Sequence, residues 1–180
     1  MAHLTMSELE AGLETITQAP KDNGRLEMIV QRPGVGERNT IEAGELSLEE
    51  GLVGDNWKDR PNAHPEMQLN IMNARSTALV AHGRERWTLA GDQLYVDLDL
   101  SLENLPAGTQ LAIGDAVVEV TAMPHRGCAK FVDRFGADAM TFVNSEVGCQ
   151  LNLRGINAKV VRGGHIRVGD SLTKLGTSNG

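Results

Sequence analysis

The sequence predicts a mainly β protein whose short strands form a barrel. Two phrases, at residues 111–120 and 166–175, each place a β-branched residue before a Gly-Asp pair and an alternating apolar run after it. Glycine suits a turn with positive φ, and aspartate can close that turn through its side chain. The 180 residues include 20 glycines against six prolines, which agrees with many tight turns. Repeated short strands of this kind are typical of barrels.

The first half of the chain begins with a predicted helix over residues 3–18, because its apolar side chains recur every three or four positions. Strands are predicted at residues 26–31 and 67–72. Between them, residues 46–53 form a second short element, and the polar stretch at residues 56–66 is expected to be an exposed loop.

Asn73 begins the next predicted element, a helix that it caps and that runs to about His82. Gly83 fits the C-terminal cap of this helix. Residues 91–100 then alternate between apolar and polar side chains, which predicts a half-buried strand with acidic residues on its open face.

The last third combines helices and strands. Residues 128–144 fit two short helices split at Gly136, and residues 156–161 form a strand before the final strand–turn–strand phrase. Both Gly-Asp phrases are expected to be hairpins.

Composition excludes several classes of function. Six aromatic residues and a net charge of −7 argue against a protein that stacks bases or binds a phosphate backbone. No stretch approaches the roughly 20 apolar residues of a membrane helix, and no signal peptide is visible. Two cysteines do not form a disulfide scaffold, so we expect a reducing compartment, the cytoplasm. From the charge, the few aromatic residues and the lack of a long apolar stretch, we expect no nucleic-acid or membrane partner.

One segment differs from the rest of the chain in charge. Residues 121–167 carry seven cationic and three acidic side chains, a net charge of +4. A local positive region in an acidic protein favours a small anionic ligand. A solvated helix face with cations at strand ends is the simpler alternative.

Cys128 is the strongest chemical candidate in this segment. It follows His125, Arg126 and Gly127 and precedes a predicted helix. A helix N-terminus, a cation and a histidine all favour the thiolate, which ligates soft metals or attacks electrophiles. A small buried, inert cysteine stays open as an alternative, and it is our interpretation of Cys149. A zinc site or a cysteine–histidine hydrolase would need further residues that the sequence does not identify.

The order of these motifs around one cysteine resembles the MOSC domain, found at the C-terminus of molybdenum cofactor sulfurases and in stand-alone bacterial proteins. The resemblance covers residues 26–175, which leaves residues 1–25 as a helical arm and residues 176–180 as a flexible tail. The motifs that carry it are Leu52–Asp55, Ala90–Asp92, Glu103–Leu105, Ile113–Asp115, Cys128 and Ile166–Asp170.

The resemblance implies a bent, mostly antiparallel β-barrel with short helices at its rim. It also implies binding of the molybdenum cofactor, an anionic pterin dithiolene with a phosphate, with Cys128 as the metal or sulfur ligand. Related enzymes remove oxygen from N-hydroxylated compounds. The alternative is a sulfur-carrier or cofactor-delivery module without turnover of its own, and a barrel with an inert cysteine stays open as well.

For a cofactor enzyme, candidate roles follow from charge and chemistry. The cations expected to hold the phosphate and pterin are Arg126, Lys130, Arg154 and Arg167. His125 would tune Cys128 or shuttle a proton to a small-molecule substrate. The partner would be an electron donor or, for a sulfur carrier, a cysteine desulfurase.

Overall fold

A computed structural model describes residues 2–177 of the chain. Within that range the structure has eleven strands, six short α-helices and three short 3-10 segments. The strands are β1 (Gly24–Gln31), β2 (Asn39–Ile41), β3 (Ala43–Ser47), β4 (Gly51–Leu52), β5 (Leu69–Asn73), β6 (Leu94–Asp97), β7 (Thr109–Ile113), β8 (Ala116–Val120), β9 (Ile156–Arg162), β10 (Gly164–Arg167) and β11 (Ser171–Thr177). The helices are α1 (Met6–Ala11), α2 (Leu13–Thr17), α3 (Ala74–Ala81), α4 (Ala129–Phe135), α5 (Ala137–Asn144) and α6 (Glu146–Gln150).

Seven of these strands close into a barrel in the order β1, β6, β5, β9, β8, β7 and β11. The pairing of Gly24 with Leu172 joins β1 to β11 and completes the circle. The β5–β6 pair is parallel, whereas the other pairs of the barrel are antiparallel. β2 pairs with β1 outside this circle, and β10, β3 and β4 form a separate three-stranded sheet. The predicted mainly β, mostly antiparallel barrel with short helices is therefore confirmed.

Three strands of the barrel, β1, β5 and β6, bury apolar side chains on both of their faces, in two separate cores. Leu26 and Ile29 of β1 point into the barrel interior, while Met28 and Val30 join the core outside it. Met28, Ile29 and Val30 alternate as the two-residue period of a strand requires, and a β-bulge between Leu26 and Met28 places those two residues on opposite faces. The outer core is completed by helical side chains such as Phe131, so the helices cover one side of the barrel.

The Gly-Asp turns have the expected backbone conformation, with positive φ at Gly54, Gly91, Gly114 and Gly169. The phrase at residues 111–120 is a hairpin of β7 and β8. The second phrase is not a hairpin, which corrects the prediction. Its turn joins β10 of the small sheet to β11 of the barrel, because β10 pairs with β3 and β11 pairs with β7 and β1.

The N-terminal region contains two helices where the sequence predicts one over residues 3–18. The helices α1 and α2 meet at Gly12, where a Cβ atom would lie 2.6 Å from Cδ1 of Leu79. Glycine thus lets this segment approach α3. The predicted arm at residues 1–25 overlaps β1, whose first two residues are Gly24 and Arg25. Residues 176 and 177 of the predicted tail lie in β11, and residues 178–180 fall outside the described range.

Two other local predictions differ from the structure. His82, and not Gly83, adopts the left-handed conformation that ends α3, with φ of 65°. The stretch before β5 is also more ordered than predicted. The strands β2 and β3 lie there, and two 3-10 segments, Trp57–Asp59 and Pro65–Met67, interrupt the predicted loop. Among residues 2–177, no helix has the length and apolar character needed to cross a membrane.

Candidate functional site

A cavity of about 420 Å³ lies between α4 and the loops that follow β1 and β4. We call it the cationic cavity, because within the described part of the chain its lining contains six cationic side chains and no carboxylate. Cys128 lies on the same lining. The six cations are Arg32, Arg38, Arg60, Lys130, Arg134 and Arg154.

Arg32 is fixed in the wall of the cationic cavity by a buried ion pair. Its Nε and Nη2 donate to the two oxygens of Asp55, each at 2.8 Å, and Asp55 has no exposed side-chain surface. Nη1 donates to the side chain of Asn70 and to the carbonyl of Gly91. A planar guanidinium matches a carboxylate with two parallel bonds, so Arg32 has one defined orientation.

Arg154 is held in a similar way by Asp92. Its Nη1 donates to Oδ2 of Asp92 at 2.7 Å, and its Nη2 donates to the carbonyl of Ala90 at 2.9 Å. The other oxygen of Asp92 lies 3.0 Å from Nε2 of His125. Asp92 is fully buried, which corrects the prediction that it lies on the open face of a strand.

The buried trio of Arg154, Asp92 and His125 has a defined charge state. Burial and the nearby Arg154 lower the pKa of His125, so its imidazole is neutral at pH 7 and Nε2–H donates to Asp92. Burial alone would raise the pKa of Asp92, but Arg154 and His125 outweigh burial and the pKa of Asp92 is lowered. The trio is thus a carboxylate that holds one cation and one neutral ring.

Two of the four Gly-Asp pairs therefore do more than close turns. Gly54-Asp55 and Gly91-Asp92 each bury the aspartate and use it to orient an arginine toward the cationic cavity. In the other two pairs the aspartates lie nearer to solvent, and Asp170 accepts a hydrogen bond from the backbone N–H of Arg167.

The remaining arginines of the cationic cavity crowd one another. Burial, then Arg134 and Arg32, lowers the pKa of Arg38. Burial, then Arg32, lowers the pKa of Arg60. Arg38 and Arg60 both remain charged at neutral pH. Each is repelled by the neighbouring guanidinium groups, and a bound anion would relieve this repulsion.

Two further details show that the cationic cavity fits an anionic ligand. Nε of Arg154 is buried and has no hydrogen-bond partner within residues 2–177. Gly91 lies between two cations, since a Cβ atom there would sit 3.6 Å from Nη1 of Arg134 and 3.7 Å from Nη2 of Arg38. An unpaired buried donor and a glycine between guanidinium groups are what a cavity for an oxyanion needs.

Cys128 is the exposed N-cap residue of α4. The loop before it is anchored by Asn144, whose side chain accepts from the N–H of Gly127 at 2.9 Å and donates to its carbonyl at 3.1 Å. This pair of bonds ties the loop to α5 and fixes the backbone beside Cys128. Among residues 2–177, no group of three or more His, Cys, Asp or Glu side chains could hold a metal ion by itself.

The six residues predicted as site residues fall in three places. Cys128, Lys130 and Arg154 line the cationic cavity. His125 and Arg126 line a second cavity, together with Cys149. Arg167 lies in β10 and is exposed, away from both sets of lining residues.

Four of the cations that line the cavity are not among the residues predicted from the sequence. Arg134 belongs to the cationic segment at residues 121–167, whereas Arg32, Arg38 and Arg60 lie outside that segment. A local signal exists for two of them, because Arg32 and Arg38 flank a loop with glycines at positions 34 and 36. Such loops let a backbone approach a ligand closely.

Comparisons with known structures support the fold. YiiM from Escherichia coli aligns with 87% of this chain and 72% of its own, with a TM-score of 0.58 and 19% identity. The YUAD protein from Bacillus subtilis aligns with 83% of this chain and 94% of its own, with a TM-score of 0.58 and 14% identity. At these identities the likeness shows a shared fold.

Two sequence comparisons add to this. A gamma-glutamyl phosphate reductase from Meiothermus ruber is 27% identical over 82 residues, which is 46% of this chain and 18% of that protein. The chain thus spans less than a fifth of that relative. The MOSC domain profile matches residues 58–173, which is more than half of the chain. With the closed barrel and the fold shared with YiiM, this match shows that the chain belongs to the MOSC domain family.

Proposed function

We propose that the cationic cavity binds the molybdenum cofactor and that Cys128 is the protein ligand to its metal. The observation that carries this proposal is the lining itself, which combines six cations, no carboxylate within the described residues and an exposed thiol. MOSC domains are associated with molybdenum cofactor enzymes. A soft metal that arrives on its own chelating cofactor needs few protein ligands, so a single thiolate suits it.

Each part of the lining has a distinct task in this proposal. Arg32 and Arg154 are fixed by buried carboxylates, so they would bind the phosphate and other anionic groups without first reorganising. The crowded Arg38 and Arg134 would gain most from an anion beside Gly91. When bound, the cofactor would supply a metal centre that exchanges electrons and oxygen.

The activity that we propose is reduction of a small N-hydroxylated compound, with electrons supplied by a partner protein. His125 supports this activity from behind the cavity wall, since it contacts Asp92, which in turn holds Arg154. This arrangement favours a positioning role for His125 over direct proton transfer to a substrate.

A sulfur carrier is the second candidate, and the exposure of Cys128 is the observation that favours it. In that role the thiolate would attack the sulfane sulfur of a desulfurase persulfide. The new S–S bond would form on Cys128, and the desulfurase thiolate would leave.

Charge removal inside the cationic cavity tests the first proposal. The double variant Lys130→Gln/Arg134→Gln removes two lining cations from α4. We expect its dissociation constant for the cofactor to rise at least about tenfold, or about 1.4 kcal/mol. The readout is the amount of fluorescent oxidised pterin released per chain.

The matched control is Arg126→Gln/Arg167→Gln, which removes the same charge from outside the cavity. This variant is expected to retain the cofactor as the wild type does. If both double variants lost the cofactor equally, binding would depend on the total charge of the protein and not on this cavity. If neither variant lost it, the cofactor would bind elsewhere.

A further inference from the structure

A second cavity, of about 280 Å³, lies where β8 ends and β7 and β9 begin. We call it the mouth cavity, because side chains of the barrel interior form its floor. These are Leu105, Val120 and Ile156, all of them buried core residues. Leu102 lies on the lining as well, and its 56% exposure leaves a large apolar surface open to a ligand.

The mouth cavity carries one unbalanced positive charge. Arg126 is the single arginine on its lining, and within the described residues the lining has no lysine. No carboxylate lines the cavity, and Arg126 forms no ion pair within residues 2–177. Its one side-chain hydrogen bond in that range is a long contact of 3.4 Å to the carbonyl of His125. The guanidinium is therefore free to bind an anion.

The other polar groups on this lining are mostly committed to the protein. The hydroxyl of Thr121 donates to the carbonyl of Glu66 at 2.6 Å. The Asn157 amide donates to the carbonyls of Met123 and Pro124. A ligand would thus meet one cation and an otherwise apolar surface, which is the usual composition of a small-molecule pocket.

Two hydrogen-bonded bridges separate the mouth cavity from the cationic cavity. In one, Asp92 links His125 on the mouth side to Arg154 on the cationic side. In the other, Nδ2 of Asn70 on the cationic side donates to Oδ1 of Asn157 on the mouth side at 2.7 Å. The two cavities therefore have separate linings. Because the ring of His125 lies on the lining of the mouth cavity, its NMR resonances report ligand binding there.

We propose that the mouth cavity binds a small amphipathic monoanion, a carboxylate on a short apolar body. The carboxylate would pair with Arg126, and the apolar body would lie against Leu102 and Leu105. This site is independent of the cofactor proposal, since it uses different residues and stands whether or not the cationic cavity holds the cofactor.

The test is calorimetric titration of the purified full chain with octanoate, alongside octan-1-ol and octylammonium. We expect one saturable octanoate site per chain, with weaker binding of the alcohol and none of the ammonium. Arg126→Gln should raise the octanoate dissociation constant at least about fivefold, since it removes a charge-assisted pair. Ala107→Trp, at an exposed lining position, should block binding by filling the cavity.

The double variant Lys130→Gln/Arg134→Gln is the control for octanoate that binds in the cationic cavity instead of the mouth cavity. We expect it to bind octanoate as the wild type does, with the His125 ring resonances perturbed in both proteins. Absence of saturable binding would overturn the proposal. So would an unchanged affinity in Arg126→Gln, or a loss in the cationic double variant as large as that in Arg126→Gln. A melting curve for each variant confirms that it is folded.

Discussion

Replacing Cys128 with alanine is expected to lower turnover of an N-hydroxylated substrate at least about a hundredfold, because it removes the proposed protein ligand to the metal. The fold should be unaffected. Cys128 is exposed, and its sulfur forms no hydrogen bond within the described residues. The measurement is reductase activity with an artificial electron donor, together with the thermal midpoint.

Cys149→Ala is the matched control for this prediction. Cys149 lies on the mouth cavity, and its thiol donates to the carbonyl of Asn144 at 3.4 Å. We expect this variant to keep wild-type activity. If Cys128→Ala retained activity, or if both variants lost it equally, Cys128 would not be the ligand.

Asp92→Ala is expected to have the largest effect on stability, a loss of about 3–5 kcal/mol in the free energy of unfolding. The substitution leaves the guanidinium of Arg154 buried without its counter-charge and removes the acceptor for His125. Chemical denaturation followed by circular dichroism measures the loss as a lower midpoint concentration.

Asp115→Ala is the control, because Asp115 also follows a turn glycine but is exposed. Its substitution should change the free energy of unfolding by no more than about 0.5 kcal/mol. A loss below about 1 kcal/mol in Asp92→Ala would contradict the assigned role of the buried ion pair.

The fold was predictable where local signals carry it. The β7–β8 hairpin has alternation on both sides of a Gly-Asp turn, and the structure forms it as predicted. The helices α4 and α5 divide at Gly136, whose φ of 95° is unfavourable for other residues. In both places the controlling interactions lie within a few residues along the chain.

The cationic cavity was only partly predictable, because it is assembled from segments far apart in sequence. Lys130 and Arg134 lie together on α4, but Arg32, Arg38 and Arg60 lie on loops that precede α4 by about 70 to 100 residues. Charge counting along the chain cannot show that these loops meet α4. That meeting depends on the order of strands in the closed barrel.

The Gly-Asp pairs were also only partly predictable from the sequence. All four glycines have positive φ, as predicted, but the sequence alone does not show which aspartates are buried. Asp55 and Asp92 are buried because each has an arginine partner that is distant in sequence, Arg32 and Arg154 respectively. The Gly-Asp pattern, which predicts a turn, therefore also provides the two carboxylates that orient Arg32 and Arg154 in the cationic cavity.

The central claim is that this chain binds the molybdenum cofactor through the cationic cavity and Cys128. Elemental analysis of the wild-type protein, purified from a host that makes the cofactor, tests it most directly. We predict about one molybdenum atom per chain, and none in Cys128→Ala. Protein without molybdenum would contradict the claim. If that protein instead gained about 32 Da on Cys128 after incubation with a desulfurase, the sulfur-carrier function would replace it.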